Sequence, residues 1–338
     1  MYRVAVIRGD GIGPTIVEET LRALCFLSDA IGLSITFIDA PAGDGALREY
    51  GSALPSESIS TIEKADACLK GPVGESAKDV IVYLRQRLDL YSNLRPARTY
   101  EGVRSNYSNV DLLIVRENTE DVYRGVEDVG RDYAVALMSF SRFGTERIAR
   151  VACKYASRRK RKITIVDKSN VIMAHRFFRE VASSMIKSLG EFMLDYMYVD
   201  NAAYQLVVNP TQFDVILTTN MFGDILSDEA AGVCGTLGLA PSGNIGDSYG
   251  LFEPVHGSAP SIDPRYANPL AMMLSASMML EWLGDTRNDA KARRSAELLE
   301  QAVRNILSKR AVITPDLGGS STTHEVCDAI IDELKRWT

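Results

Sequence analysis

The chain is predicted to be an α/β protein with a largely parallel sheet, and three observations carry that prediction. Short β-rich runs alternate with longer helical stretches from one end to the other. The 338 residues are long for one core and comfortable for two. No Pro/Gly/Ser-rich linker and no internal repeat divides the chain, as expected when domains share a chain discontinuously. Strands are expected at 4–8, 35–39, 112–116, 163–167 and 215–218, where β-branched and aliphatic residues cluster. Helices are expected at 14–31, opened by Pro14, and at 145–157, 174–189, 223–237, 269–282 and 290–307. The stretches 93–100, with Pro96, and 235–241 are candidate crossing points between domains.

Composition narrows the function. No apolar run approaches the ~18 residues of a membrane span. The opening residues enter a strand at once, with no charged leader or small-residue cleavage site. Five cysteines (Cys25, Cys68, Cys153, Cys234, Cys327) are scattered without C-x-x-C spacing. They are expected to be buried, reduced thiols of a cytoplasmic protein. A net charge of -6 argues against nucleic-acid binding. The basic run Arg158-Arg159-Lys160-Arg161-Lys162 reads as the solvated end of a helix leading into a strand.

The most informative segment is Asn220-Met221-Phe222-Gly223-Asp224-Ile225-Leu226-Ser227-Asp228-Glu229-Ala230-Ala231-Gly232. Asp224 and Asp228 lie four apart in a helical stretch and so share a face. They form either an acidic solvated face or an oxygen-only seat for a hard cation, Mg²⁺ or Mn²⁺. Gly9-Asp10-Gly11-Ile12-Gly13-Pro14 follows the first strand, but its spacing is not G-x-G-x-x-G. It reads as a tight turn rather than a Rossmann fingerprint. Arg85, Arg95 and Arg116 are candidates for a dicarboxylate clamp, because a guanidinium fork matches a carboxylate with two hydrogen bonds. Tyr123 and Lys168 are candidates for proton transfer, with lowered pKa values if Tyr lies beside Lys and Lys beside a metal. Asp200 is either a helix N-cap or a third metal carboxylate. Glu253-Pro254-Val255-His256-Gly257-Ser258-Ala259-Pro260 is a small-residue loop suited to a nucleotide's phosphates and adenine.

Taken together, these segments resemble the β-decarboxylating dehydrogenases, the isocitrate/isopropylmalate dehydrogenase family. The likeness runs nearly end to end, from Gly9–Pro14 through 220–232 to Thr314-Pro315-Asp316-Leu317-Gly318-Gly319. It implies the two-domain isopropylmalate dehydrogenase-like fold, distinct from the Rossmann fold. Residues 1–99 plus 236–338 would form a discontinuous cofactor-binding domain. Residues 100–235 would form a central domain with the dimer interface and the metal-site residues. It further implies a homodimer, possibly a higher oligomer, with shared active sites: Asp224 and Asp228 bind the metal, and Asp200 and Lys168 reach in from the partner. Arg85, Arg95 and Arg116 would hold the malate core of a 2-hydroxy dicarboxylate. Lys168 would accept the hydroxyl proton, and Tyr123 would protonate the enol carbon after CO₂ leaves.

Within the family the third substituent of the malate decides the substrate. The segment Lys78-Asp79-Val80-Ile81-Val82-Tyr83-Leu84-Arg85 offers Ile81 and Val82 as apolar lining. An isopropyl group buried there gains roughly 1.5–3 kcal/mol, whereas a carboxylate would lose hydration without a partner. That favours 3-isopropylmalate, although Arg116-Glu117-Asn118-Thr119-Glu120-Asp121 resembles the isocitrate and homoisocitrate pattern. Lys78 could swing in to meet an extra carboxylate, and D-malate stays open as a further substrate. His256, Gly257, Ser258, Ala259, Ser261, Ile262 and Asn268 are the expected cofactor contacts. NAD is expected over NADP, because the Lys and Tyr of NADP-using relatives are absent at 261 and 262; NAD-using relatives carry an Asp at 261, where this chain has Ser261, and Asp263 is placed to substitute for it. A non-catalytic regulatory subunit is disfavoured, since Tyr123, Lys168, Asp200, Asp224 and Asp228 are all retained.

Overall fold

In the computed structural model, which describes residues 1–338, one ten-stranded sheet runs through the molecule. Strands β1 (Tyr2–Ile7), β2 (Ile35–Asp39), β3 (Ala67–Lys70), β4 (Ser92–Arg98), β5 (Asp111–Glu117), β6 (Glu127–Val129), β7 (Ala134–Ala136), β8 (Lys162–Asp167), β9 (Met193–Tyr198), β10 (Val215–Thr218), β11 (Pro241–Ile245) and β12 (Gly250–Pro254) follow in chain order. The sheet order is β2-β1-β3-β12-β11-β4-β5-β10-β8-β9, and β6 and β7 form a separate hairpin. The flanks are parallel. The centre, β12-β11-β4-β5, is antiparallel, which strand periodicity alone did not suggest. Pro96 is tolerated within β4 because β11 pairs only with Ser92–Leu94. At Pro96 the strand therefore has a partner on one side only.

Helices α1 (Gly13–Ile31), α2 (Asp44–Tyr50), α3 (Ser56–Glu63), α4 (Tyr83–Arg87), α5 (Arg142–Ala156), α6 (Met173–Ser188), α7 (Val199–Val208), α8 (Asn220–Cys234), α9 (Leu270–Arg287), α10 (Ala290–Lys309) and α11 (Thr323–Leu334) cover the sheet. A π-helical turn at Lys78–Val82 leads into α4. The expected helices are all present, with shifted ends. α5 starts at Arg142 because Ser141 caps it, accepting from the Gly144 amide. α8 stops at Cys234, three residues earlier than expected, where Gly235 turns to φ 144°.

Two apolar clusters draw mainly on both chain ends, uniting α1, α9, α10 and α11 on one side of β1 and β3, and Leu54, Ile62, Ile81 and Leu84 on the other. Two others draw mainly on residues 94–234. Four cysteines are buried as expected, but Cys25 is exposed on the outer face of α1, a correction that follows from its position opposite the buried Leu21–Leu24–Leu27 stripe. The basic run meets its charges internally: Arg158 pairs with Asp285, Arg159 with Asp111 and Asp214, and Lys162 with Asp195. No helix is long and apolar enough to cross a membrane.

His175 is fully buried on α6, stacked on Phe222 at 4.8 Å and edge-on to Phe140 at 5.1 Å. Neither ring nitrogen has a partner. Burial pushes its pKa below the usual 6.5, against weak opposition from Asp121 and Asp167. A lowered folded-state pKa means the unfolded chain binds the extra proton first, so stability is full above pH 6.5 and drains away below it. Wild type is therefore expected to lose more unfolding free energy than His175→Phe between about pH 7.5 and about pH 5.5. Denaturant melts at both pH values check this, and equal losses would refute it.

Candidate active site

Cross-strand register builds the site. Asn93 on β4 stands opposite both Arg116 on β5 and Asn244 on β11, and Ser242 stands opposite Glu253 on β12. Directly opposed residues share a face, as do residues two apart on one strand. Glu253, Ser242, Asn244, Asn93, Arg95 and Arg116 thus line one face of the antiparallel centre. α8 packs across that face, and Gly223 makes the approach possible: a Cβ there would lie 2.6 Å from Arg116 Cγ.

The three candidate arginines do converge. Arg116, 1% exposed, donates from Nε and Nη2 to Asn220 Oδ1 at 3.0 and 2.6 Å, and from Nη1 to Asp224 Oδ1 at 2.5 Å. Arg95 donates to Asn93 Oδ1 and Ser227 Oγ, both at 2.6 Å. Its Nη1 also lies 3.0 Å from Asp224 and 3.6 Å from Asp228. Arg85, buried on α4, donates from Nε to Asn244 Oδ1 at 3.0 Å and from Nη2 to Glu253 at 3.4 Å. Lys70 closes the set on Glu253 at 2.6 Å. Packing cations this way is costly. Burial first, then repulsion from Arg95 and Arg85, brings the Arg116 guanidinium down to about 9. Burial likewise lowers Arg85, outweighing Glu253. The site is thus built to receive negative charge.

Its acidic side answers in part. Burial alone would raise the Asp224 carboxyl, but Arg116 and then Arg95 outweigh it and hold it down to about 2. Asp228, one turn along, is raised by burial, against the pull of Arg95 and with Asp224 adding repulsion; its carboxylate pairs with Arg95 at 3.6 Å. Tyr123 donates to Asp224 Oδ2 at 2.9 Å, with Arg116 Cζ 5.4 Å from its ring centroid. Within its own chain the Tyr123 phenol lies beside a carboxylate rather than beside Lys168, and burial followed by Asp224 raises its pKa.

Lys168 follows β8 and bonds Asp200 Oδ1 at 2.5 Å. Asp200 is not the N-cap; Tyr198 occupies that place, and Asp200 lies in the first turn of α7. Within one chain no three acidic, His or Cys side chains converge as a metal seat, so Asp200 and Lys168 are not brought to Asp224 and Asp228. The two aspartates nonetheless suit a hard dication: oxygen donors only, one helical face, and side chains 35% and 54% exposed toward the open site.

The remaining candidates divide. Ile81 packs into the apolar core with Val80 and Leu84, while Val82 is half-buried beside it. Lys78 does not turn inward; it pairs with Glu127 at 2.6 Å on the β6–β7 hairpin. His256 is half-buried, its Nδ1 3.0 Å from the Gly257 carbonyl, and burial lowers its pKa. Gly257, Ser258, Ala259, Ser261 and Ile262 form the loop beyond it, with Ser261 and Ile262 exposed. Asp263 is not free to act alone, because Arg265 meets its charge at 2.7 Å. Asn268 turns inward, donating to Asp316 at 3.0 Å and accepting from the Leu270 amide at 3.0 Å. Sequence reasoning missed Asn93, Asn220, Ser227 and Asn244. Asn244, fully buried, accepts from Arg85, Asn93 and Asn118 at 3.0 Å each and orients all three. An amide inside a buried strand was the available signal.

A cavity of about 660 Å³ lies elsewhere, on the opposite sheet face lined by Leu94, Pro96, Leu113, Ile245 and Phe252. None of the candidate site residues borders it.

Residues 3–332 match the family model described as isocitrate/isopropylmalate dehydrogenase. A 3-isopropylmalate dehydrogenase of Sulfurisphaera tokodaii is 48% identical over 336 residues, covering 98% of this chain and 99% of the relative. An isocitrate/homoisocitrate dehydrogenase of Thermus thermophilus is 42% identical over 343 residues, covering 99% of each. The crystal structure of isocitrate dehydrogenase from Methylococcus capsulatus superposes with a TM-score of 0.92 at 38% identity, covering 99% of this chain and 100% of that one. The protein belongs to the isocitrate/isopropylmalate dehydrogenase family.

Proposed function

We propose that this protein catalyses the NAD-dependent oxidative decarboxylation of 3-isopropylmalate to 2-oxoisocaproate, a step of leucine biosynthesis. The observation that carries the reading is the buried cluster of Arg85, Arg95 and Arg116 facing Asp224, Asp228 and Tyr123. Three convergent guanidinium groups suit the two carboxylates of a malate core. When bound, NAD supplies the hydride acceptor and Mg²⁺ or Mn²⁺ a Lewis acid at the C2 hydroxyl. Asp224 and Asp228, with the partner's Asp200, would hold that cation. Lys168 from the partner accepts the hydroxyl proton. The arginines keep both carboxylates fixed while CO₂ leaves, and Tyr123 delivers a proton to the carbon it vacates. The loop 253–260, with His256, and residues to 268 would seat the nucleotide.

Two further features support the shared-site homodimer. Val126, Val129, Tyr133, Val135 and Leu137 of the hairpin region, with Tyr204, Val207 and Ile225 on α7 and α8, leave apolar side chains exposed. Lys168 and Asp200 pair with each other at the surface rather than within their own chain's cluster. The distribution of the apolar clusters supports domains of residues 1–99 plus 236–338 and of residues 100–235. Four singly buried thiols support a cytoplasmic setting.

The test is NADH formation with Mg²⁺ from 3-isopropylmalate, isocitrate, homoisocitrate and D-malate, repeated with NADP. The expected result is the highest kcat/KM for 3-isopropylmalate with NAD, abolished by a chelator and restored by the metal. A preference for isocitrate would overturn the reading of the pocket beside Val82. Inactivity on every malate would point to a regulatory subunit.

A further inference from the structure

The turn Gly9–Pro14 has no part in the chemistry above, yet it touches both halves of the proposed site. The Asp10 amide donates to the Pro72 carbonyl at 2.8 Å, and the Ile12 amide to the Ser258 carbonyl at 3.0 Å. The second contact is close: a Cβ on Gly11, where φ is 59°, would lie 2.1 Å from that oxygen. The Asp10 carboxylate reaches the other way. Its Oδ2 accepts from the amides of Asp44 and Gly74 at 2.8 and 3.0 Å, and its Oδ1 from the Gly45 amide at 2.9 Å. Asp44 repeats the pattern one step on. Its Oδ1 accepts from the Ser76 amide and hydroxyl at 2.9 and 2.6 Å, and its Oδ2 from the Glu75 amide at 3.1 Å. The Ser76 hydroxyl is the main reason that its carboxyl lies below the ordinary range. The Ser76 carbonyl then accepts from Asp79 and Val80 at 3.1 and 3.2 Å, starting the π-helical turn that carries Ile81 and Val82 and leads to Arg85.

We propose that Asp10 and Asp44 are positioning residues, two carboxylates in series that fix the substrate-side segment 71–85 against the cofactor-side loop 253–260. Asp44 acts only on the substrate side, through Ser76. Asp10 acts on both, because its turn also carries the contact to Ser258. Neither touches substrate in this scheme, and the scheme rests on the assignment of the site to a 2-hydroxy dicarboxylate. A carboxylate is required at both places because each oxygen faces donors alone. An amide would turn its own N–H₂ against a backbone N–H.

Asp44→Asn is expected to raise KM for 3-isopropylmalate by about tenfold, a change of ~1.4 kcal/mol. It leaves kcat within about threefold and KM for NAD within about twofold, and the preference for 3-isopropylmalate over D-malate falls by about tenfold. Asp10→Asn is expected to raise both KM values. A loss of kcat with every KM unchanged would overturn the proposal, as would an equal rise of both KM values in Asp44→Asn. Hydrogen exchange on the unliganded proteins separates positioning from general destabilisation. Asp44→Asn should expose the amides of 74–85 and no others, and uniform loss of protection would count against it. If wild type turned over neither malate, the functional assignment would fall alone, and the exchange pattern would still decide whether the two carboxylates hold this segment.

Discussion

Tyr123→Phe is expected to lower turnover by about 10²–10⁴-fold while leaving KM for 3-isopropylmalate within about threefold. The asymmetry follows from what the change removes. The ring stays, and with it the contact to the Arg116 guanidinium, whose Cζ is 5.4 Å from the centroid. Asp224 keeps Arg116 at 2.5 Å and Arg95 at 3.0 Å, so the clamp for the two carboxylates is intact. Only the hydroxyl is lost, and with it the hydrogen bond to Asp224 Oδ2 and the proposed proton for the carbon left by CO₂. An interaction made only on the way to the transition state appears in kcat rather than in KM. Pre-steady-state NADH absorbance should show a burst of about one equivalent followed by slow turnover, because oxidation precedes the impaired step. An unchanged kcat, or a rise in KM that accounts for the whole loss, would remove Tyr123 from this role.

How far the sequence disclosed this site depends on where each residue's partners lie. Strands 35–39 and 215–218 end where β-branched runs end, and the structure has them at Ile35–Asp39 and Val215–Thr218. The i,i+4 spacing of Asp224 and Asp228 placed them on one face because helix geometry is local. β4 and β11 were illegible because proline, glycine and polar residues interrupt the alternation that marks a strand. Their polar members, Asn93 and Asn244, face a charged site rather than a core. Long-range register makes them functional: Asn93 meets Arg116 and Asn244 only once three distant segments pair. Asp10 and Asp44 were hidden for the same reason, since their acceptors are filled by amides up to 64 positions away. The turn that looked structural by spacing acquires its role from contacts that spacing does not encode.

Arg116→Met is expected to reduce kcat/KM for 3-isopropylmalate by about 2–5 kcal/mol, or ~30- to ~5,000-fold. The loss appears mainly in KM, because the arginine is proposed to grip the substrate in every state. Its cost to the fold is expected to be smaller than to binding. Breaking a buried ion pair usually costs about 3–5 kcal/mol by stranding the surviving charge. Here Asp224 is not stranded, since Arg95 Nη1 remains 3.0 Å away and Tyr123 still donates to it. The guanidinium itself is held uncomfortably, pushed down to about 9 by burial and by its two cationic neighbours. Removing it relieves that repulsion, while Asn220 Oδ1 loses both its donors. The net destabilisation of the unliganded protein should therefore stay below about 3 kcal/mol, as expected where stability is given up to hold charge ready for a ligand. Arg116→Lys distinguishes charge from shape. A lysine keeps the cation but cannot reach Asn220 and a carboxylate together in one plane, so it should recover little of the binding. Paired measurements of kcat/KM and of thermal unfolding without ligand decide the matter. A variant that melts far below wild type yet binds substrate normally would mean that Arg116 serves the fold and not the dicarboxylate.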